Sequence, residues 1–325
     1  MESLPVLDFA AFAQDGQTPN QDARQSVADA IGQACRETGF FLLTHHGLDR
    51  EIIDAGFAQA AQFFDRPLAD KQSLSIEASP YHRGWFGAGQ EVLDAQNQAQ
   101  GDAKEGLKIG RDLPLHHPKV AAGVALHGPN QWPNEAIGGS EFKAAMQATY
   151  AACEGLSRQL MQAFALSLGL EERHFEPWLT LPMATLAPLR YPPMRDETLL
   201  GAGAHTDFGC LTLLLQNDEP GLEVQKANGD WISVPASRDF VVVNIGDMMA
   251  RWTNNRYAST RHRVVNRSGK TRHSMAYFFD PDAEADLSPL PTCHGEGETP
   301  HYEDASALEH LLMKIKQSFA YRQER

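Results

Sequence analysis

The amino-acid sequence predicts a mainly β fold, a sandwich or jelly roll wrapped by helices. Residues 1–180 mostly carry apolar side chains at helical spacing, whereas residues 181–285 form short β-rich segments separated by turn residues. Residues 286–325 follow as a loop and a final helix. Because no linker separates these regions, we expect a single domain over residues 1–325, with a β core that also carries the functional site.

The helical region begins with two amphipathic segments. QDARQSVADAIGQACRETG ends at Gly39, and REIIDAGFAQAAQFFD ends before Pro67. Between them, GFFLLTHHG is typical of a short buried strand. The Gly-, Pro- and Gln-rich stretch from about 76 to 138 is predicted as loops. A long helix is expected over 140–170, and a shorter one in EERHFEPWL.

The strands of the core follow at short intervals. The predicted strand segments are ATLAPLRYPP, CLTLLLQND, GLEVQKANGDWISVP, DFVVVNIGD, STRHRVVN and RHSMAYFFDP. ANGDW is typical of a hairpin with a polar tip. The last segment, DASALEHLLMKIKQSF, has helical periodicity and is expected to pack against the core.

Composition restricts the classes of partner. The chain has 325 residues and a formal net charge of −14 without a basic stripe, so nucleic acids and anionic membranes are poor candidates. Its four cysteines form no CxxC pair, which indicates reduced thiols in a cytoplasmic protein. The N-terminal segment is too short and acidic for a signal peptide. No apolar run approaches the roughly 20 residues that span a bilayer.

The segment GAGAHTDFG, immediately before the apolar LTLLL, carries the strongest site candidate. An H-x-D/E triplet is weak evidence alone, because the chain contains His174 with Glu176, His205 with Asp207, His294 with Glu296, and His301 with Glu303. The first begins a polar helix, and the last two lie in an acidic loop that we expect to be exposed. His205 and Asp207 differ, since residues two apart in an extended segment face the same side. The strand after them indicates a position at the mouth of a dry core.

A third ligand is expected from another strand of the same core. His262 in STRHRVVN is the best candidate, because Arg261 and Arg263 fall on the opposite face and Val264 and Val265 pack inside. Two histidines and one carboxylate leave three metal positions open. This is the non-heme Fe(II) facial triad, which suits oxygen chemistry. Zinc, usually in a hydrolase, is the alternative occupant.

Arg272 and Ser274 lie two residues apart on the otherwise apolar strand RHSMAY, ten residues beyond His262. A buried guanidinium needs an anionic partner, and its planar fork pairs best with a carboxylate. An internal ion pair is one interpretation; beside the triad, a small dicarboxylate ligand explains the pattern better. Tyr191 in LRYPP is a candidate for a third contact through its hydroxyl.

The motifs around these candidate residues resemble those of a known family. HTDFG, RHRVV and the R-x-S that follows look like the 2-oxoglutarate/Fe(II)-dependent dioxygenases of the isopenicillin N synthase-like group. The resemblance covers most of the chain, since further segments resemble that family's in the same order. These are PVLDF, GFFLLTHHG, KEGLKIGRDLP, LRYPP, GLEVQ and NIGDMMARWTNNRYASTRHRVVN.

The resemblance implies a distorted double-stranded β-helix, a jelly roll, with helices around it. It implies that His205, Asp207 and His262 bind Fe(II), and that 2-oxoglutarate and O2 are co-substrates. The reaction would couple oxidative decarboxylation of 2-oxoglutarate to hydroxylation, desaturation or cyclisation of a small-molecule substrate. The metal ligands would be the catalytic centre, with no further catalytic residue assigned.

By the same resemblance, Arg272 and Ser274 hold the distal carboxylate of 2-oxoglutarate and Tyr191 assists. Many relatives have Asn-Tyr-Tyr-Pro where this chain has LRYPP, and the R-Y-P form is closer to isopenicillin N synthase and to ethylene-forming relatives. Isopenicillin N synthase uses R-x-S for its peptide substrate and needs no 2-oxoglutarate. An oxidase of that kind, or an ethylene-forming enzyme, is therefore the alternative, ahead of a zinc hydrolase or a binding protein.

Several further residues are candidates for the substrate cavity. Phe208 directly follows the triad, and the family's N-terminal loops close over the site. The residues predicted to line the cavity are Phe208, Tyr81, Arg83, Trp85, Phe86 and Lys104. Asp247 in NIGDMM is interpreted as a structural turn carboxylate and not as a metal ligand. The primary substrate and the oligomeric state are left open.

Overall fold

A computed structural model of the chain describes residues 3–13, 20–98, 100–193, 200–295 and 301–319. The strands of the large sheet are β1 (Val6–Asp8), β2 (Phe40–Thr44), β3 (Gly84–Phe86), β4 (Glu105–Gly110), β5 (Thr185–Tyr191), β7 (Leu211–Gln216), β10 (Val241–Ile245) and β12 (Arg272–Phe279). Those of the small sheet are β6 (Ala202–His205), β8 (Leu222–Gln225), β9 (Trp231–Ser233) and β11 (His262–Val264).

The α-helices lie mostly in the first half of the chain. They are α1 (Ala10–Ala13), α2 (Gln21–Glu37), α3 (Arg50–Phe64), α4 (Leu68–Gln72), α5 (Pro118–Ala121), α6 (Gly139–Ser167), α7 (Asp247–Trp252) and α8 (Ala307–Ser318). Asn20 and Asp49 cap the amino ends of α2 and α3 with their side chains, and Ser306 and Glu309 form a capping box at α8. No helix within the described residues is long and apolar enough to cross a membrane.

Two sheets form the core. Among the described residues, the large sheet has the strand order β1-β2-β10-β7-β12-β5-β4-β3, and the small sheet has the order β6-β11-β8-β9. Neighbouring strands are antiparallel except for β1 and β2. Ala187 and Ala276 of the large sheet share one apolar cluster with Leu222 and Val264 of the small sheet, so the inner faces pack together. The predicted jelly roll is confirmed.

The large sheet is buried on both faces. In β2, Phe41 and Leu43 belong to the cluster shared with the helices, whereas Phe40 and Leu42 belong to the cluster between the sheets. The long helix α6 packs against α2 and α3 over the outer face. This double burial explains why GFFLLT is a continuous apolar run and not an alternating one.

The structure differs from the sequence-based expectation in two segments. The stretch predicted as loops contains β3 and β4, and β4 pairs with β5 in the large sheet. EERHFEPWL forms only a 3₁₀ turn at Glu176–Trp178, because Pro177 lacks the N–H that a longer helix would need. Phe175 and Trp178 pack on the ring of Trp252, with centroids 5.1 and 5.7 Å away. GAGAH, expected as part of an extended segment, contains strand β6.

Candidate active site

Strands β6 and β11 bring two histidines together. His262 pairs directly with His205 across the antiparallel strands, and their ring centroids are 4.3 Å apart. Asp207 lies two residues beyond His205, where β6 has ended, and its Oδ1 is 3.7 Å from His205 Nε2 and 3.6 Å from His262 Nε2. The ligand atoms offered by the three residues all lie within 4.8 Å of one another. The structure therefore brings all three predicted ligands to one point.

Backbone carbonyls orient both imidazoles. His205 Nδ1 lies 2.7 Å from the Gly203 carbonyl oxygen, and His262 Nδ1 lies 3.1 Å from that of Thr260. A neutral ring that donates from Nδ1 keeps the lone pair of Nε2 for a metal. Phe40 packs edge-on against His262 at 5.2 Å and limits rotation of that ring. Both Nε2 atoms consequently face Asp207.

The carboxylate of Asp207 is fixed by two donors on the large sheet. Its Oδ2 accepts hydrogen bonds from Thr212 Oγ1 at 2.5 Å and from Asn244 Nδ2 at 2.7 Å. These bonds leave Oδ1 for the point that the two histidines face. Thr212 and Asn244 were not identified from the sequence; the signal was a polar residue within each of the apolar strands LTLLL and VVVNI. Outer partners of this kind set the orientation of ligands in metal sites.

Burial determines the charge state of the cluster. Burial, together with the neighbouring His262, lowers the pKa of His205 to about 3, so this imidazole is neutral at physiological pH. Burial alone would raise the pKa of Asp207, but His262, His205 and the bonds from Asn244 and Thr212 outweigh it and lower that pKa below its usual value. A neutral His205 and an ionised Asp207 are in the states that bind a divalent cation.

The donor set fits Fe(II). Metal bonds of about 2.1 Å place neighbouring ligand atoms roughly 3–4 Å apart. The two histidine–aspartate distances, 3.7 and 3.6 Å, lie within this range. The ligands come from one side and leave the other positions for co-substrates. In the described part of the chain, no other group of three His, Cys, Asp or Glu side chains is arranged this way, which leaves His174 and His301 outside any such cluster. Glu296, a member of another triplet, lies outside the described residues.

Buried donors without partners lie on β12, where Arg272 lines the same cavity as the triad. Arg272 is fully buried, and its Nη2 donates to Gln216 Oε1 at 2.9 Å, but its Nε and Nη1 have no partner among the described residues. The hydroxyl of Ser274 is also buried and unpartnered. Tyr191 is paired with Arg272 across β5 and β12, and its ring centroid is 4.9 Å from the guanidinium carbon. Burial lowers the pKa of Arg272. Unpaired buried donors of this kind fit a carboxylate.

A central cavity of about 160 Å³ joins these two parts of the site. The predicted residues Phe208, Arg83 and Lys104 line it, together with the triad, Tyr191 and Arg272. Trp85 lies outside this cavity. Its Nε1 donates to Glu105 on the opposite face of β4. Phe86 is completely buried, packs near Phe319 and is not part of the cavity wall formed by the described residues.

Helix α8 closes one side of the cavity and is tied to the triad segment. Leu311 and Ile315 line the cavity, and His310 Nε2 lies 2.9 Å from the Phe208 carbonyl oxygen. Lys314 forms a 2.6 Å ion pair with Asp247. Asp247 also accepts hydrogen bonds from Thr206 at 3.2 Å and from Ser259 at 2.6 Å, so its carboxylate holds loops together.

Gly209 is required by close packing beside the triad. A Cβ at this position would lie 1.9 Å from Asp280 Oδ1, which accepts a 2.7 Å hydrogen bond from the Cys210 amide. Asp280 lines the cavity, and burial raises its pKa to about 7. The glycine after Phe208 thus allows the loop behind Asp207 to approach β12.

Comparison with known proteins agrees with this geometry. Residues 182–281 match the family model of the 2OG-Fe(II) oxygenase superfamily, and residues 4–135 match that of the non-haem dioxygenase in morphine synthesis N-terminal region. The 2-oxoglutarate-Fe(II) type oxidoreductase hxnY of Emericella nidulans is 36% identical over 98% of this chain and 93% of its own length. Clavatol oxidase claD of Penicillium crustosum is 33% identical over 98% and 97%.

The fold has a solved counterpart as well. A 2OG-Fe(II) oxygenase family protein from Caulobacter crescentus has a TM-score of 0.83 and 31% identity, with 98% of this chain and 99% of that chain covered. The chain belongs to the 2-oxoglutarate–Fe(II) oxygenase superfamily, as the sequence predicted. It is an oxidoreductase that uses Fe(II), 2-oxoglutarate and O2 to oxidise a small-molecule substrate.

Proposed function

We propose that His205, Asp207 and His262 are the iron ligands, and that Arg272 and Ser274 bind the distal carboxylate of 2-oxoglutarate. The converging Nε2 and Oδ1 atoms support the first assignment. The observation that carries the second is the fully buried guanidinium of Arg272, which has two unpartnered N–H groups next to the triad. Leaving such a group without an anion costs free energy, so a carboxylate is its expected partner.

The side chains around the metal have separate roles. When bound, Fe(II) and 2-oxoglutarate supply the oxidising chemistry, in which O2 is consumed and 2-oxoglutarate becomes succinate and CO2. The carbonyls of Gly203 and Thr260 hold the imidazole planes, and Asn244 and Thr212 hold the Asp207 carboxylate. Fixed ligands and a largely apolar wall keep the reacting groups in position and exclude water.

Arg272 orients the co-substrate in this proposal. Its partly paired guanidinium, backed by Gln216, gives 2-oxoglutarate one preferred direction along the barrel. Tyr191 covers one face of the guanidinium through its ring, and its hydroxyl remains the proposed third contact to 2-oxoglutarate. The keto-acid end then lies toward the iron ligands.

The substrate is a small molecule held in the central cavity, where it is hydroxylated, desaturated or cyclised. We also infer that residues 1–325 form a single domain, because strands from the first half of the chain complete the large sheet. The proposed location is cytoplasmic, in agreement with Cys35, Cys153, Cys210 and Cys293, which are free buried thiols.

The decisive experiment measures succinate and iron separately. Under anaerobic conditions, the protein should bind one Fe(II), and addition of 2-oxoglutarate should then give a saturable spectral change. In air, succinate formation should require both Fe(II) and 2-oxoglutarate. If O2 were consumed with substrate while 2-oxoglutarate had no effect, the role of Arg272 would be wrong and an oxidase would replace this proposal.

A further inference from the structure

Three cationic side chains follow one another along the wall of the cavity. Lys104, immediately before β4, and Lys108 within it are on the face that lines the cavity, whereas Glu105 lies on the opposite face. Beyond them, the guanidinium of Arg83 occupies the space above Gly110, where a Cβ would lie 2.0 Å from its Nη2. We name Lys104, Lys108 and Arg83 the cationic wall.

The positive charge of the first member, Lys104, is neutralised by carboxylates of the protein. Lys104 Nζ contacts Asp102 Oδ2 at 2.6 Å and Glu91 Oε2 at 2.8 Å. Burial alone would lower the pKa of Lys104, but Asp102 and Glu91 raise it above its usual value. Asp102 also accepts the amide of Gly203, whose carbonyl orients His205. Lys104 therefore has a structural role, although it lines the cavity.

The second member, Lys108, shares its nearest counter-charge, Glu91, with Lys104. The nearest carboxylate oxygen to Lys108 is Glu91 Oε1 at 3.7 Å, and Glu91 is already paired with Lys104. The ammonium lies 5.6 Å from the ring centroid of Phe86 and 5.1 Å from that of Phe278. Burial lowers the pKa of Lys108, in contrast to Lys104. A further anion beside Lys108 would therefore stabilise its charged form.

The third member has no carboxylate partner. Arg83 is 4% exposed, and it donates to the carbonyl oxygens of Leu126 at 2.8 Å and His82 at 3.4 Å. Its Nε has no partner, and no carboxylate oxygen in the described residues comes within 4.0 Å of the guanidinium. Asp207 and Asp280, which also line the cavity, do not form ion pairs with Arg83 or Lys108.

We propose that Lys108 and Arg83 bind an anionic group, a carboxylate, on the primary substrate. Residues two apart in a strand are separated by roughly 7 Å, so Lys108 and the guanidinium above Gly110 can reach one carboxylate between them. The rest of the cavity is mostly apolar, which selects a substrate with an apolar body and one acidic end. The apolar lining includes Leu93, Leu126, Met183, Phe208, Leu311 and Ile315.

This inference rests on the proposed function, because it assigns Arg272 to 2-oxoglutarate and leaves Lys108 and Arg83 for the substrate. The test uses protein loaded anaerobically with Fe(II) and saturating 2-oxoglutarate, so that the iron and Arg272 are occupied. Ligand-observed NMR then measures a set of aromatic and aliphatic monocarboxylic acids, each matched with its primary amide. We expect the acids to bind at least tenfold more tightly than their amides.

Three variants test whether Lys108 and Arg83 cause the preference for acids over amides. Lys108→Met keeps the length of the side chain and should reduce the preference for acids at least tenfold, whereas Lys108→Arg should retain it. Arg83→Met should reduce it as well. Lys71→Met is the matched control, since Lys71 is another buried lysine, paired with Glu105 and outside the cavity. It should leave the preference unchanged.

The outcomes separate this inference from the proposed function. If the wild-type protein shows no preference for acids, or if the preference persists in both Lys108→Met and Arg83→Met, the inference is overturned. The Lys108→Met variant should still bind 2-oxoglutarate, as measured by the spectral change that this binding causes. If the wild-type protein did not bind 2-oxoglutarate, the assignment of Arg272 would be overturned, independently of the result with the acids.

Discussion

His262 lies directly opposite His205 in the pairing of β11 with β6, and the register of these strands shifts between His262 and Val264. The distance between two proposed iron ligands is therefore set by main-chain hydrogen bonds and not by flexible loops. A strand pair also transmits any change of register to both imidazoles at once. The histidine side of the triad is therefore positioned by the main chain, whereas Asp207, which lies after β6, is positioned by its side-chain partners Thr212 and Asn244.

Replacement of His262 by alanine should abolish iron binding and turnover. Loss of an outer partner typically costs about 10–100-fold in metal affinity, so loss of a ligand should cost more than ~100-fold in succinate formation. Metal analysis and a succinate assay measure the two effects. His301→Ala is the matched control, because His301 is exposed and belongs to another H-x-E triplet. Equal iron content in His262→Ala and wild type would contradict the assignment.

Replacement of Arg272 by methionine should raise the KM for 2-oxoglutarate roughly 100-fold. A hydrogen bond to a charged group contributes about 1.5–3 kcal/mol, and about 1.4 kcal/mol corresponds to a tenfold change. Iron binding should be retained, which a damaged fold would not allow. Arg267→Met, at a half-exposed surface arginine paired with Glu223, should leave the KM unchanged. An unchanged KM in Arg272→Met would argue for an oxidase that does not use 2-oxoglutarate.

Replacement of Asn244 by alanine should weaken Fe(II) binding by about 10–100-fold. The change removes one of the two side-chain hydrogen bonds that hold Asp207 Oδ2, so the carboxylate can rotate away from the histidines. Anaerobic titration with Fe(II) measures the affinity. Asn228→Ala, at an exposed hairpin tip, should bind iron like the wild type. If Asn244→Ala also matched the wild type, the Thr212 bond alone would be sufficient.

Replacement of Asp280 by asparagine should change how stability depends on pH. Burial raises the pKa of Asp280 from 3.8 to about 7, so between these values the folded state binds more protons than the unfolded state. This carboxyl therefore stabilises the fold at low pH, and its contribution falls by up to about 1.4 kcal/mol per pH unit as the pH rises to 7.

The asparagine variant cannot lose a proton, and its side-chain oxygen can still accept the Cys210 amide. Urea unfolding of the metal-free protein at several pH values from 4.5 to 7 should therefore show a smaller loss of stability in the variant. Asp230→Asn, at an exposed carboxylate, is the control. Parallel curves for Asp280→Asn and wild type would show that Asp280 is ionised throughout this range.

Much of the arrangement was accessible from the sequence because short-range patterns encode it. Two-residue spacing put His205 and Asp207 on one side, and the apolar strand around Arg272 and Ser274 marked them as buried donors. The strand β4 was not predicted, since its two glycines and its lysine resemble a loop. Gly106 and Gly110 are explained only by the side chains of Phe86 and Arg83, which pack where their Cβ atoms would be. Long-range packing of this kind leaves no local periodicity.

Helix α8 has a practical consequence for the enzyme. It forms part of the cavity wall and, through Lys314 and Asp247, holds Thr206, the residue between His205 and Asp207. A protease that cuts before Ser306 would open the chamber to water and loosen the metal cluster in a single event, without cleaving any strand of the barrel.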